Sequence, residues 1–260
     1  MRIRFLGTGT SHGIPVIGCD CPVCASTNPR NTRTRSSILI ESDERRVVVD
    51  TTPEFRIQAL AAGLKTLDAV LFTHAHADHI FGLDDVRIFN WRTKQPMPLY
   101  GTPETLEVIR RSFSYVFESG QEGGGKPKLD LIPIEIGVPF EVAGLHIMPL
   151  EVRHGAIAVT AFRVCERPEG PQLVYATDCN AISPETLAQM EGVDLFVLDA
   201  LTKNRHPTHF SLAEAIEVAQ RLTPGRTLFT HISHSLEHEE TNAGLPEGMA
   251  LAFDGQVIEL

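Results

Sequence analysis

The stretch LFTHAHADHIFG, residues 71–82, sets three histidines and an aspartate within six positions: His74, His76, Asp78 and His79. Imidazole nitrogens and carboxylate oxygens are good ligands for divalent first-row metals. Residues 74 and 76 project to one face of an extended segment, and a turn after them lets Asp78 and His79 face the same space. Four such groups so close together suit two adjacent cations better than one. The cluster follows an apolar run ending at Phe72 and precedes Ile80–Phe81–Gly82, which argues for a buried strand as its carrier and against a solvated turn. A second cluster lies nearer the N terminus. GCDCPVC, residues 18–24, holds Cys19, Cys21 and Cys24, three of the five cysteines of the chain. Three thiolates are three quarters of a zinc site and leave open where the fourth ligand lies.

Elements able to hold these groups can be read around them. RIRFLGTG (2–9), SSILIES (36–42), RVVVDT (46–51) and DAVLFTH (68–74) predict strands, as do LHIMPLEVRH (145–154), AVTAFRVC (158–165), QLVYATD (172–178) and DLFVLDA (194–200), and GRTLFTHIS (225–233) predicts a strand running into a loop. PEFRIQALAAG (53–63) predicts a helix with Pro53 in its first turn and Gly63 at its end. SPETLAQM (183–190) opens with a Ser–Pro helix start, and SLAEAIEVAQRL (211–222) is amphipathic. Both halves run strands first, then strand–helix units, with no Pro- or Ser-rich linker between them. A single α/β domain over 1–260 follows, two packed sheets with helices outside. The glycines of ESGQEGGGKPK, residues 118–128, predict a loop, either a lid or a solvated connection. LGTGTSHGIP, residues 6–15, is neither a Walker motif nor a dinucleotide fingerprint. It reads as a tight turn below the cluster in preference to a phosphate cradle.

Composition bounds the function classes. The 260 residues can bury a large core, and 42% hydrophobic with 22% charged residues is ordinary for a soluble protein. MRIRFLGTGTSHG lacks the apolar run of a signal peptide, and no stretch has the roughly 18 apolar residues of a membrane span. A cytoplasmic protein with reduced thiols and no membrane partner is therefore expected, which favours metal over disulfides for the cysteines. The formal net charge of -10 argues against extended nucleic acid as a partner, because neutralising phosphates needs clustered Lys and Arg.

The His-x-His-x-Asp-His pattern resembles that of the metallo-β-lactamase superfamily, over essentially the whole chain. The resemblance implies a four-layer αββα sandwich. It also implies further ligands after later strands, matched here by His154 in LEVRHG, Asp178 in LVYATDCN and His231 in TLFTHISH. One metal site would then take His74, His76 and His154, the other Asp78, His79 and His231, with Asp178 bridging. Asp50, closing RVVVDT, would support the ligands from behind. Within the superfamily, GCDCPVC together with FTHISH is similar to the PhnP-type phosphodiesterases of the carbon–phosphorus lyase pathway. In that group the second histidine of the latter motif, here His234, completes a Cys₃His zinc site. Four protein ligands leave no open position, so this zinc would be structural and the loop 18–26 its carrier. The same branch places a proton-donating histidine just before a late helix. His209, in HFSL, fits best and His206 is the runner-up, with Asp199, ending DLFVLDA, as the carboxylate that orients it. Cys165 reads as core. Cys179, next to Asp178, lies near the site with no sign of binding metal.

The implied chemistry is hydrolysis of a small, cyclic ribose or nucleotide phosphodiester. Two divalent cations, zinc, manganese or iron, would activate water, Asp78 would serve within the catalytic set, and His209 would protonate the leaving alkoxide. A tRNA 3′-processing ribonuclease shares this core, but the chain is acidic and shows no long basic insertion. A glyoxalase-type thioesterase or a lactamase would share the metals without needing His209 and Asp199. A carrier resembling the cofactor-pathway protein PqqB would not need seven metal ligands. A homodimer stays open.

Overall fold

Strands covered on both faces are apolar at successive positions, not alternate ones. Val47, Val48 and Val49 are all fully buried, as are Leu195 to Leu198, and these runs lie on interior strands of two sheets. The computed structural model describes residues 1–118 and 125–260; part of the predicted 118–128 loop, residues 119–124, lies outside the described residues. The first half runs β1 (Arg2–Gly7), β2 (Ser37–Ser42), β3 (Arg45–Val49), α1 (Phe55–Ala61), β4 (Ala69–Leu71), α2 (Ala77–Ile80), α3 (Arg87–Thr93), β5 (Met97–Gly101), α4 (Pro103–Ser112), α5 (Ser114–Phe117) and β6 (Leu129–Pro133). The second runs β7 (Phe140–Val142), β8 (Leu145–His154), β9 (Ile157–Cys165), β10 (Gln172–Ala176), α6 (Pro184–Ala188), β11 (Leu195–Asp199), α7 (Leu212–Leu222), β12 (Arg226–Thr230), α8 (His238–Ala243), β13 (Met249–Leu251) and β14 (Val257–Glu259).

Among the described residues one sheet has the order β14-β1-β2-β3-β4-β5-β6 and the other β13-β12-β11-β10-β9-β8-β7. Each sheet is antiparallel up to its central strand, β3 or β10, and parallel from there on. Parallel neighbours need crossovers, and these carry the helices. Inner faces meet through Ile3, Phe5, Val47, Val49 and Leu71 from one sheet and Phe162, Leu173, Leu195 and Val197 from the other. The outer residue Val48 packs under α1 and α3 with Phe55 and Phe89, and Phe196 packs under α7 with Ala215 and Ala219. The result is the expected αββα sandwich.

Local signals behave as the sequence predicts where caps are explicit. Ser183 accepts from the Thr186 N–H ahead of α6, and Ser211 with Glu214 forms a reciprocal capping box ahead of α7. Several predicted strands end early, and for two of them the hydrogen bonds show why. The strand predicted over 2–9 stops at Gly7, because the Gly9 N–H donates to Thr34 O and the Thr10 N–H to Ile232 O, drawing the chain towards both sheets. A Cβ on Gly7 would stand 2.0 Å from Arg35 O, so the glycine loop is a packed turn. The strand predicted over 68–74 stops at Leu71, because the Thr73 N–H goes to the Asp50 carboxylate at 2.9 Å and leaves the ladder.

Candidate metal centre

The site gathers at the C-terminal ends of the parallel strands of both sheets. Asp50 follows β3, His74 and His76 follow β4, Asp178 follows β10, Asp199 ends β11 and His231 follows β12. Asp50, Asp178 and His231 each adopt a left-handed backbone, with φ of 64°, 51° and 57°. That conformation is costly for residues with a Cβ and recurs where side chains are aimed for function. It turns each chain sharply off its strand and into the cleft. The predicted turn after His76 is a helix: His76 stands at the N-cap of α2, and Asp78 and His79 lie in its first turn.

Hydrogen bonds fix which imidazole nitrogen faces inward. Asp50 is buried and accepts from the Thr73 hydroxyl at 2.8 Å and from His79 Nδ1 at 2.7 Å. The Thr73 oxygen in turn accepts from His74 Nδ1 at 3.0 Å. His154 Nδ1 donates to Thr208 O at 2.7 Å. In all three the Nε2 is left for the centre. Nε2 of His74, His79 and His231 are buried with no hydrogen-bond partner. Asp178 lies between them, 3.2 Å from His79 Nε2, 3.2 Å from His231 Nε2 and 3.9 Å from His74 Nε2. Buried polar atoms without partners that converge on a shared carboxylate are what a cation site needs.

One donor from each of Asp78, His79, Asp178 and His231 falls within 4.8 Å of the others. The His74, His76 and His154 rings pack together at centroid separations of 4.5 to 6.0 Å, a looser set. Electrostatics at the centre favour positive charge beside its carboxylates. Burial opposes charge on His79, yet Asp178 and Asp50 outweigh it and hold the imidazole well above its usual pKa. Burial likewise opposes the Asp178 carboxylate, but His231 and His79 hold it well below the usual range.

His209 sits at the rim, its ring stacked on His231 at 4.6 Å between centroids. Its Nδ1 is 2.6 Å from Asp199 Oδ2, which also accepts from the Cys179 N–H at 2.9 Å. Burial pushes Asp199 well above the usual carboxylate range and lowers His209, so both ends of this bond are biased towards neutrality. His206, the runner-up, is exposed, 5.2 Å from the His209 ring. A cavity of about 470 Å³ opens beside His209, lined by Thr10, Ser11, Thr202 and Ser233 together with Val16, Leu201, His12 and His234. Cys165 and Cys179 are buried, and neither belongs to a group of converging ligands among the described residues.

The cysteine loop closes on the far end of the chain. Sγ of Cys19, Cys21 and Cys24 lie 3.3, 3.5 and 3.3 Å from His234 Nδ1. The Val16 N–H donates to Cys24 Sγ and the Cys24 N–H to Cys21 Sγ. The second bond draws Cys21 down to about 6, whereas burial pushes Cys24 up to about 11. Three thiols in one space do not all ionise without a cation among them, and this donor set suits zinc. Sequence reasoning missed the groups that orient the ligands: Thr73, Thr177, whose hydroxyl donates to Asp178 at 2.7 Å, and the Thr208 carbonyl. Of these Thr73 and Thr177 carry a local signal, each standing between an apolar strand and a ligand residue, whereas Thr208 carries none.

Fold and site together define a metal-dependent hydrolase. The beta-lactamase superfamily domain matches residues 45–232, and the chain belongs to that superfamily, within its PhnP-like branch. The structure superposes on that of a diphosphatase from the PhnP family with a TM-score of 0.91 and 38% identity, covering 99% of this chain and 97% of the other. An octanoyltransferase of Porphyromonas gingivalis is 34% identical over 98% of the chain; the chain spans 51% of that protein's length. A ribonuclease Z of a Bradyrhizobium strain is 24% identical over 82% of the chain and 88% of its own. Among the described residues no helix is long and apolar enough to cross a membrane.

Proposed function

We propose that the chain hydrolyses small phosphodiesters, releasing a monoester and an alcohol. The observation that carries this reading is the His209–Asp199 pair at the rim of the centre, beside an open cavity. Thioester hydrolysis has less need of such a pair, because a thiolate leaves unprotonated, whereas a departing alkoxide needs a proton. Likeness to a diphosphatase and to ribonuclease Z supports phosphorus as the electrophile.

His74, His76 and His154 would hold one divalent cation and Asp78, His79 and His231 another, with Asp178 shared. Bound there, zinc, manganese or iron would activate water at neutral pH and offset charge developing on the phosphoryl group. Asp50 and Thr73 keep the His79 and His74 rings turned to the centre. Asp199 accepts from the Nδ1–H of His209, so Nε2–H of the protonated ring would be the group that hands a proton to the leaving oxygen. Cys19, Cys21, Cys24 and His234 would hold a further zinc, closed to substrate. The formal net charge of -10 favours a small substrate over a tRNA precursor.

Metal analysis combined with three substrates tests this: bis(p-nitrophenyl) phosphate, a thioester and a lactam. Only the diester is expected to turn over. Asp178→Ala should lower metal content and reduce diesterase activity by orders of magnitude, because it leaves the cations without their shared carboxylate. Thioester or lactam hydrolysis in place of diester hydrolysis, or full activity with full metal content in Asp178→Ala, overturns the reading.

A further inference from the structure

The chain carries a formal net charge of -10, yet one face gathers cations around exposed apolar side chains. On α1, Ile57 and Leu60 are 60% and 66% exposed; on α3, Ile88 and Trp91 are 41% and 62% exposed. Each pair is spaced three residues apart, so each helix turns an apolar ridge outward while Phe55 and Phe89 are buried on the sheet. A cavity of about 390 Å³ between the ridges is lined by Arg56, Arg87 and Arg92 and by one acid, Asp85; its other walls are apolar. Trp91 also walls a second cavity, of about 640 Å³, which takes Lys94, Lys126 and Lys128. Among the described residues no acid lines this one, and Asn90 is its one uncharged polar side chain. Of the six cations only Arg87 has a carboxylate partner among the described residues, Asp84 at 2.9 Å. Arg92 and Lys126 donate to the backbone carbonyls of Lys65 and Glu118.

A partner for this face must bring anionic groups and take up apolar surface as well. A second copy would bring the same cations, because an isologous contact sets the patch against itself. A nucleic acid would pair with the cations and leave Ile57, Leu60 and Ile88 against sugar and phosphate. A partner helix would need a long groove, and α1 and α3, at seven residues each, run only about 10 Å. An anionic bilayer surface needs no groove. Its headgroups pair with Lys and Arg, and aliphatic side chains and an indole enter the zone between headgroups and acyl chains. The lack of a spanning run bears on crossing a bilayer, not on lying against one. We propose that this face docks the protein on anionic membrane surfaces, with Ile57, Leu60, Ile88 and Trp91 entering the interface and Arg56, Arg92, Lys94 and Lys128 meeting the lipid phosphates. No residue of the metal centre or of the cysteine loop lines either cavity, so the proposal stands apart from the phosphodiesterase reading.

Trp91 is the only tryptophan of the chain, so its emission reports on this face alone. The full chain is titrated with vesicles of phosphatidylcholine, with and without a third of phosphatidylglycerol, and binding is read by cosedimentation and by Trp91 emission. Partitioning should be at least about tenfold stronger on the anionic vesicles, should weaken as salt is raised, and should shift the emission to the blue. The triple variant Arg56→Gln, Lys94→Gln, Lys128→Gln should lose about tenfold or more of the binding to anionic vesicles. Ile57→Ser with Leu60→Ser should weaken binding while leaving its salt dependence. All five positions are exposed, and melting temperatures near wild type show that the variants fold. Equal cosedimentation with both lipids, or none with either, overturns the proposal, as does binding without an emission shift. A blue shift produced by polyaspartate and not by the vesicles would make the face a site for an acidic protein and overturns it too. Emission that moves from blue to red on dilution of the protein alone would mean that a second copy covers Trp91, with the same consequence.

Discussion

His209 has one ring nitrogen engaged, at 2.6 Å from Asp199, and the other free towards the cleft. As a general acid its worth depends on how badly the leaving group needs a proton. A p-nitrophenolate departs readily without one, and a ribose alkoxide does not. General acid catalysis contributes typically about 10²–10⁴-fold where it is needed. His209→Ala should therefore depress hydrolysis of an alkyl or cyclic diester far more than that of bis(p-nitrophenyl) phosphate, with metal content near wild type. Asp199→Asn should give a weaker version of the same pattern. Steady-state kinetics on both substrates, with metal analysis, checks this; equal loss on both would make His209 a positioning group. At this scale the sequence was uneven. His74, His76, Asp78 and His79 announce themselves by proximity. His154, Asp178, His231 and His234 are separated from them by up to 160 residues, and only their resemblance to a family pattern marked them out. Nothing local distinguishes Thr208, whose backbone carbonyl orients His154, because any residue supplies a carbonyl.

Apart from Asp78 and His79 in the short helix α2, elements deliver these side chains through strand ends and loops. Three strand ends break into left-handed backbone at Asp50, Asp178 and His231, a conformation that the sequence pattern does not encode. Helix α4 begins Thr102–Pro103–Glu104, nearly the signature of α6 at Ser183–Pro184–Glu185, yet lies outside the elements predicted from the pattern. So do β5 and β6, whose short strands carry prolines at Pro98 and Pro133 that mask a strand signal. The cysteine loop is an element held by its proposed metal: residues 18–26 are assigned neither helix nor strand, and their link to His234 spans the chain. Cys21→Ser should release about one zinc per chain and lower the melting temperature, since a ligand bound only by the folded state stabilises it. Activity should fall less than in Asp178→Ala, the effect arriving through the loop that carries both His231 and His234. Metal analysis and thermal denaturation decide it; an unchanged zinc content and melting temperature would remove the structural zinc.

The whole molecule is tied together where the loops of its two sheets meet. Arg33 is buried there, donating to Thr8 Oγ1 at 2.7 Å, to Ala252 O and to His238 Nδ1 at 3.1 Å. Thr8 passes a bond on to Asp254 at 2.7 Å, and Asp254 accepts from the Thr34 backbone and hydroxyl. Because Arg33 can only donate, His238 Nδ1 must accept, so the ring is neutral in the folded state. Burial first, then the Arg33 charge, lowers His238 to about 4. An unfolded chain would protonate this histidine near 6.5. Between pH 6.5 and about 4 the unfolded state therefore binds more protons, and stability falls as pH falls through that window; above 6.5 the contribution is fully present. A single such group changes stability by up to about 1.4 kcal/mol per pH unit. Metal-site histidines titrate as well, but they are common to wild type and variant and cancel in a difference. His238→Gln keeps an acceptor for Arg33 and removes the titration. Urea unfolding at pH 7, 6 and 5 should thus show wild type losing stability faster than His238→Gln on acidification. Parallel slopes for the two proteins would mean that this knot does not sense protons.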